Sequence, residues 1–252
     1  MTTVYLVNVG ANASHAPAAR SPVFADGRFI YVSFPTLSKE RTQSYPEESR
    51  PFVRQPDRWR THADPDWLNL TYGDYCANPR AGALKRAEPG DILLFWGMLW
   101  TNRDRSSGWS GFSGQREWYL LGALRIAEIL CGGQHVGNLS STVRARALNN
   151  AHLAGHMTLA EDHYVFIGNP ERSRQLRYAV ALNTSEKEGL IYRAFTSADR
   201  LPLKRNGTPA WKSSLRSCRP MWDLNNAEDR ARAHVVAREI LARNDFDLLA
   251  GC

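Results

Sequence analysis

Glu88-Pro89-Gly90-Asp91-Ile92-Leu93-Leu94-Phe95-Trp96 is the stretch from which the architecture can be read. Proline presets φ for a tight turn and glycine supplies the positive φ that completes it, so the chain reverses there. The apolar run Ile92–Leu99 that follows is short for a helix, carries Phe95 and Trp96, and reads as a central strand. Upstream, Ala81–Ala87 has room for one helical turn before Pro89-Gly90 breaks it. Downstream, Trp100–Gln115 is polar with Gly108, Gly111 and Gly114, a hairpin-like excursion, and Trp118–Leu130 returns as a long strand with Gly122 inside it.

Outward from this unit, Thr3–Val9 is short, apolar and β-branched, and Gly10 ends it, so it is expected to be a buried strand. The loop Ala11–Pro22 follows, then an Asp26-Gly27 turn and a second predicted strand at Phe29–Phe34. Ser38–Asp66 is poor in aliphatic residues and rich in charge; with Pro35 it holds five prolines, and it is expected to be a long irregular surface loop, mobile or draped over a ligand site. Ser140 is a candidate N-cap for a helix to about Ala151. Tyr164–Gly168 and Tyr178–Leu182 read as strands, the latter equally as part of a helix from Arg172. Asn225 or Asn226 is expected to cap a helix to about Asn244, with Ala231, Val235, Ile240 and Leu241 at helical spacing. With no repeat and no clean linker, the expectation is a single domain over 1–252. Its fold class is α+β, a mixed or antiparallel β-sheet with flanking helices.

Cys76, Cys131, Cys218 and Cys252 are scattered, with no Cys-x-x-Cys pair, which offers neither a zinc knuckle nor a disulfide framework. The N-terminal stretch lacks a signal-peptide pattern, and no apolar run reaches the roughly 18 residues of a membrane helix. A cytoplasmic protein without a membrane partner is expected. The net charge of +7 is concentrated: Asn169–Arg219 holds eleven Lys/Arg against four acids and so carries the whole excess. Clustered positive charge attracts polyphosphate, and a solvated basic face is the alternative reading. On the first of these readings a nucleic acid or nucleotide is the expected partner; protein partners are left open.

Four groups of residues could carry chemistry. In the loop after the first strand, Asn12 can hold a base edge or oxyanion, Ser14 can act as nucleophile and His15 as general base, with Arg20 close by. A tight turn using Asn, Ser and Gly for backbone bonding is the alternative. Tyr72-Gly73-Asp74-Tyr75 offers an acid beside aromatics, Asp74 as a catalytic group and Tyr72 as a ligand contact, or a tyrosine packed on the core. The basic tract supplies Arg172, Arg174, Arg177, Lys204 and Arg205 for phosphates and Trp211 for stacking. Finally, His152 and His156 stand four apart with His163 further on, but no glutamate follows the first and no carboxylate lies at ligand spacing, Asp162 or Glu161 serving only if the fold brings them back; no metal site is expected there. Walker A, dinucleotide and zinc-deaminase signatures are all missing, so no cofactor is expected.

The Pro-Gly-Asp entry, apolar strand and following strand with a mid-strand glycine resemble small β-barrels of the PUA, ASCH and EVE type, domains that bind RNA or modified bases. The resemblance leaves a closed PUA-like barrel as one form of the sheet. A wider set of motifs is more specific. Asn8-Val9-Gly10-Ala11-Asn12-Ala13-Ser14-His15, Arg20-Ser21-Pro22 through Phe29, Tyr72-Gly73-Asp74-Tyr75, Pro89–Phe95 and His163–Gly168 together look like the nucleotide modification associated domain 3 family. That resemblance implies a setting in phage or bacterial DNA base modification, and it implies no mechanism. A module that binds nucleic acid or a modified nucleotide is the first reading. An enzyme acting on a nucleotide or modified base through Asn12, Ser14 and His15 is the second.

Overall fold

The Asp91 carboxylate binds the turn to the chain's beginning. Its Oδ2 accepts from the Glu88 amide (2.9 Å) and its Oδ1 from the Thr3 amide (2.7 Å). Gly90 takes φ 98°, as the turn requires. The computed structural model describes residues 2–39, 42–153, 156–183, 188–196 and 218–252. Strand β1 is Thr3–Asn8, β2 Ser21–Val23, β3 Pro35–Thr36, β4 Arg60–Thr61 and β5 Thr71–Tyr75. β6 is Ile92–Asn102, β7 Phe112–Cys131, β8 His163–Gly168, β9 Arg174–Ala181 and β10 Arg219–Asp223. Helix α1 spans Ser141–Leu148 and α2 Ala227–Asn244.

The main sheet is mixed and eight-stranded, in the order β10-β1-β6-β7-β8-β5, with β2 beside β6 and β9 beside β7; β3 and β4 form a second, small sheet. β6 is the central strand that its apolar run predicts, buried almost throughout. β1 lies parallel to it over Ile92–Trp96 and β2 over Leu99–Thr101. Between these two contacts the chain leaves the sheet, and Gly97 lets it pass close: a Cβ there would come within 2.8 Å of the Val9 carbonyl oxygen. The loop carrying Asn12 and His15 therefore springs from the point where β1 parts from β6. β7 is the shared spine, pairing with β6 and β9 in its first part and with β8 in its second, with a register shift within each of these pairings. Such shifts bend a strand and raise its twist.

Phe29–Phe34 does not form the second strand predicted for it; Ser21–Val23 does. The Ser21 hydroxyl accepts from the Val32 amide (3.0 Å) and lies 3.2 Å from the Val32 carbonyl. A side chain thus takes the place of the regular ladder, although Ile30 and Val32 are buried as their alternation requires. The segment after Arg172 is β9 and not a helix. Among the described residues the sheet stays open, so the barrel closure is not taken. The physical reason lies at β5, whose outer edge is already occupied. Asp66 and Thr71 exchange backbone hydrogen bonds there, and the Asp64 carboxylate accepts from the Gly73 amide at 2.8 Å.

Three buried clusters hold the pieces. The largest unites the sheet with α2, whose N-cap Asn226 accepts from the amides of Glu228 and Asp229. A second, with Ala11, Ala19, Ile30, Val32, Tyr45, Phe52 and Val53, anchors the long proline-rich segment, which is a packed layer and not just surface loop. A third, with Leu130, Val136, Ala147, Leu153 and Val165, lies under α1 and the turn after it. No described helix is long and apolar enough to cross a membrane.

Candidate functional site

The extended segment Thr61–Pro65 alternates its side chains, as extended backbone must. Thr61, Ala63 and Pro65 face a cleft of about 740 Å³, while His62 and Asp64 face a smaller pocket of about 190 Å³ behind it. The two cavities share this segment as a wall. The turn after α1 divides in the same way, with Ala151 on the cleft and His152 on the pocket.

The pocket gathers residues from five parts of the chain. Asn8, Gly10, Asn12 and His15 come from the end of β1 and its loop, and Phe34, His62 and Asp64 from the proline-rich layer. Tyr72, Gly73 and Asp74 come from β5, Arg80 from the turn beyond it, and His152 from the turn after α1. One wall is a run of rings. His15 stacks on Phe34 (centroids 6.0 Å), Phe34 on His62 (5.7 Å), and His62 meets His152 edge-on (4.7 Å, 74°).

Two polar centres lie in the pocket. At the first, Asp64 is almost fully buried, and its Oδ2 stands 3.1 Å from His152 Nε2 and 3.8 Å from His62 Nε2. Burial pushes the Asp64 carboxyl well above the usual carboxylate range, with His62 and the Gly73 amide opposing. At the second, Asp74 Oδ2 accepts from the Tyr72 hydroxyl (2.5 Å) and from Arg80 Nη2 (3.0 Å), with Cys218 Sγ at 3.7 Å. Burial, then Asp74, pushes the Cys218 thiol up to about 12, so it is not a ready thiolate. Burial opposes the charge on Arg80, yet its surroundings of Tyr72, Asp74 and Cys218 push its pKa up.

Of the residues singled out from sequence, Asn12, His15, Tyr72 and Asp74 meet in this pocket. His15 is held by its Nδ1 accepting from the Asn12 amide (3.3 Å), and burial lowers its pKa, which favours the neutral imidazole. Ser14 is exposed, does not line the pocket, and donates its hydroxyl to Asn12 Oδ1 (2.6 Å), the backbone-turn arrangement open to Asn and Ser in such a loop. Arg20 is taken up by the Ala16 carbonyl (2.9 Å) and the faces of Trp109 and Phe112. Arg172 donates to the Ala250 carbonyl, Arg174 lies over Phe246 and Arg177 over Tyr178, and none of the three lines the pocket or the cleft. Lys204, Arg205 and Trp211 lie outside the described residues.

His62, Asp64 and Arg80 are not among the residues singled out from sequence, where His152 is paired with His156, with His163 further on. The pair four apart is not what the fold uses: His156 is exposed, whereas His152 meets the His163 ring (5.3 Å) and finds Asp64 and His62 about ninety residues earlier. A signal was present in His62-Ala63-Asp64, two metal-capable side chains at alternate positions of one extended segment.

His152 depends on its neighbour. Leu153 is fully buried in the third cluster and holds the turn in place. Leu153→Ala is expected to cost about 2–5 kcal/mol by leaving a cavity, measured as a lowered urea midpoint, and to release His152 from Asp64.

Among the described residues, an open mixed sheet with a small polar pocket where a parallel strand pair divides defines a protein of the α+β class. The chain belongs to the nucleotide modification associated domain 3 family, whose model matches residues 3–231. Membership associates it with nucleotide modification systems. Comparison with curated proteins and with solved structures finds no match.

Proposed function

We propose that this protein binds a nucleotide or a modified DNA base, one unit at a time, within a DNA base-modification system. The observation that carries the reading is the convergence of Asn12, His15, Tyr72, Asp74 and Arg80 on one pocket of about 190 Å³. That volume lies below the roughly 300–1,000 Å³ of sites for drug-sized ligands. It suits a single base or phosphate-sized group and not a length of duplex. Ring faces at His15 and Phe34 offer stacking, the amides of Asn8 and Asn12 offer base-edge contacts, and Arg80 supplies positive charge. The basic tract, with Arg172, Arg174 and Arg177 among the described residues, would serve to attract the polymer and not to read the base.

A second reading, an enzyme acting on the bound base, is favoured by one observation: His15, whose pKa burial lowers, and Asp74 share the pocket. In that reading His15 is the general base and Asp74 orients Tyr72 and Arg80. The exposed Ser14 is then a loop residue and not a nucleophile.

The test is equilibrium binding of canonical and modified deoxynucleoside monophosphates, single-stranded DNA and duplex DNA at two salt concentrations. Nucleotide binding that weakens at least tenfold in Asn12→Ala and His15→Ala is expected, with a shallow salt dependence for the mononucleotides. Absence of affinity for every one of these ligands would sink the proposal.

A further inference from the structure

We propose that His62, Asp64 and His152 bind a divalent first-row transition metal ion, zinc or ferrous iron, whose open coordination positions face the pocket. One ligand atom from each of His62, Asp64 and His152 lies within 4.8 Å of the other two, close enough to converge on one ion, with Asp64 Oδ2 at 3.1 Å from His152 Nε2 and 3.8 Å from His62 Nε2. The alternative is a plain His152–Asp64 hydrogen bond. Three features favour the ion. Both imidazoles present Nε2 to the same carboxylate oxygen, and their rings meet edge-on at 74°, so neither stacks over the other. The other carboxylate oxygen is already occupied by the Gly73 amide, an outer hydrogen bond of the kind that orients metal-ligating carboxylates. Gly73 also has no Cβ where one would strike the His152 ring, so the imidazole can lie flush against β5.

The ligands come from separately anchored pieces. His62 and Asp64 follow the cluster around Tyr45, Phe52 and Val53, while His152 sits between fully buried Asn150 and Leu153. Their meeting is thus set by packing on both sides. Two histidines and one carboxylate leave positions open for water or substrate, as in catalytic zinc sites and in facial-triad iron enzymes. The ion's place beside the nucleotide rests on the pocket being the ligand site; the ion's existence does not.

The experiment uses untagged protein stripped with chelator and titrated calorimetrically with Zn²⁺ in air and Fe²⁺ without oxygen, with Co²⁺ as an absorbing probe. One ion per chain is expected, with d–d bands for cobalt. His62→Ala, His152→Ala and the near-isosteric Asp64→Asn should each weaken binding by at least tenfold, whereas exposed His234→Ala should leave it unchanged. Preference for either zinc or iron supports the site. Failure of the wild-type protein to bind any of the three ions, or equal binding by wild type and Asp64→Asn, would overturn it. Nucleotide affinity is measured separately on the stripped protein, so loss of one property does not decide the other.

Discussion

Gly73→Ala is expected to disable the pocket while leaving β5 paired with β8. The cause is space, because a Cβ at this position would run into the imidazole of His152 and come within 2.8 Å of the Asn150 carboxamide oxygen. Asn150 is fully buried and donates to Thr71 Oγ1 (3.0 Å), so it cannot withdraw without losing that bond. His152 must therefore swing away from Asp64. Overpacking of this kind costs about 1–3 kcal/mol, or roughly 2–12 °C in Tm for a chain of this size. The decisive readout is the loss of metal and nucleotide binding, at least tenfold for each. Gly82→Ala, where no atom comes nearer than 3.7 Å, is the matched control and should stay within about 0.5 kcal/mol of wild type. Retention of both affinities by Gly73→Ala would show that His152 does not need its place against β5.

Phe95→Ala should produce the larger loss of stability. Phe95 is fully buried in β6, and its ring meets Trp67 (5.2 Å) on the larger cleft and Tyr72 (5.3 Å) in the smaller pocket, nearly edge-on to Trp67. Truncation removes aromatic surface from the largest cluster and leaves a cavity shared by both walls. The expected cost is about 3–5 kcal/mol, a fall of roughly 6–20 °C in Tm, read by thermal melting and by the urea midpoint. Ligand affinity should fall with it, since Tyr72 loses the ring beneath its own. A cost below about 1 kcal/mol would show that the ring is not a support for either cavity.

Much of the architecture could be read along the chain because its causes are local. A continuous apolar run after Pro89-Gly90-Asp91 marks a strand covered on both faces, and β6 is that strand. Asn226 before an amphipathic run marks the start of α2, and its side chain takes the two amides that a cap should. Phe29–Phe34 misled because burial and alternation do not require a ladder partner, and Ser21 supplied a side-chain substitute. The Pro-rich segment is largely irregular, as its few aliphatics suggest, while Tyr45, Phe52 and Val53 also build a small core with it.

The functional centre was only half legible. Asn12, His15, Tyr72 and Asp74 stood out because each sits beside a strand end or in a polar cluster with visible chemistry. His62 and Asp64 did not, and His152 did so only beside other histidines near it in sequence, since their joint meaning lies in proximity across about ninety residues.

The sequence by itself determined the turn at Pro89-Gly90, the strands on either side of it, the capped C-terminal helix and the residues of the β1 loop, all through neighbours a few positions apart. Only the tertiary structure decided that the sheet stays open among the described residues, because the edge of β5 is taken by Asp64 and Asp66. The same contact brings His62 and Asp64 to His152. Closing one edge and building one site are a single act of long-range packing, which no local pattern encodes.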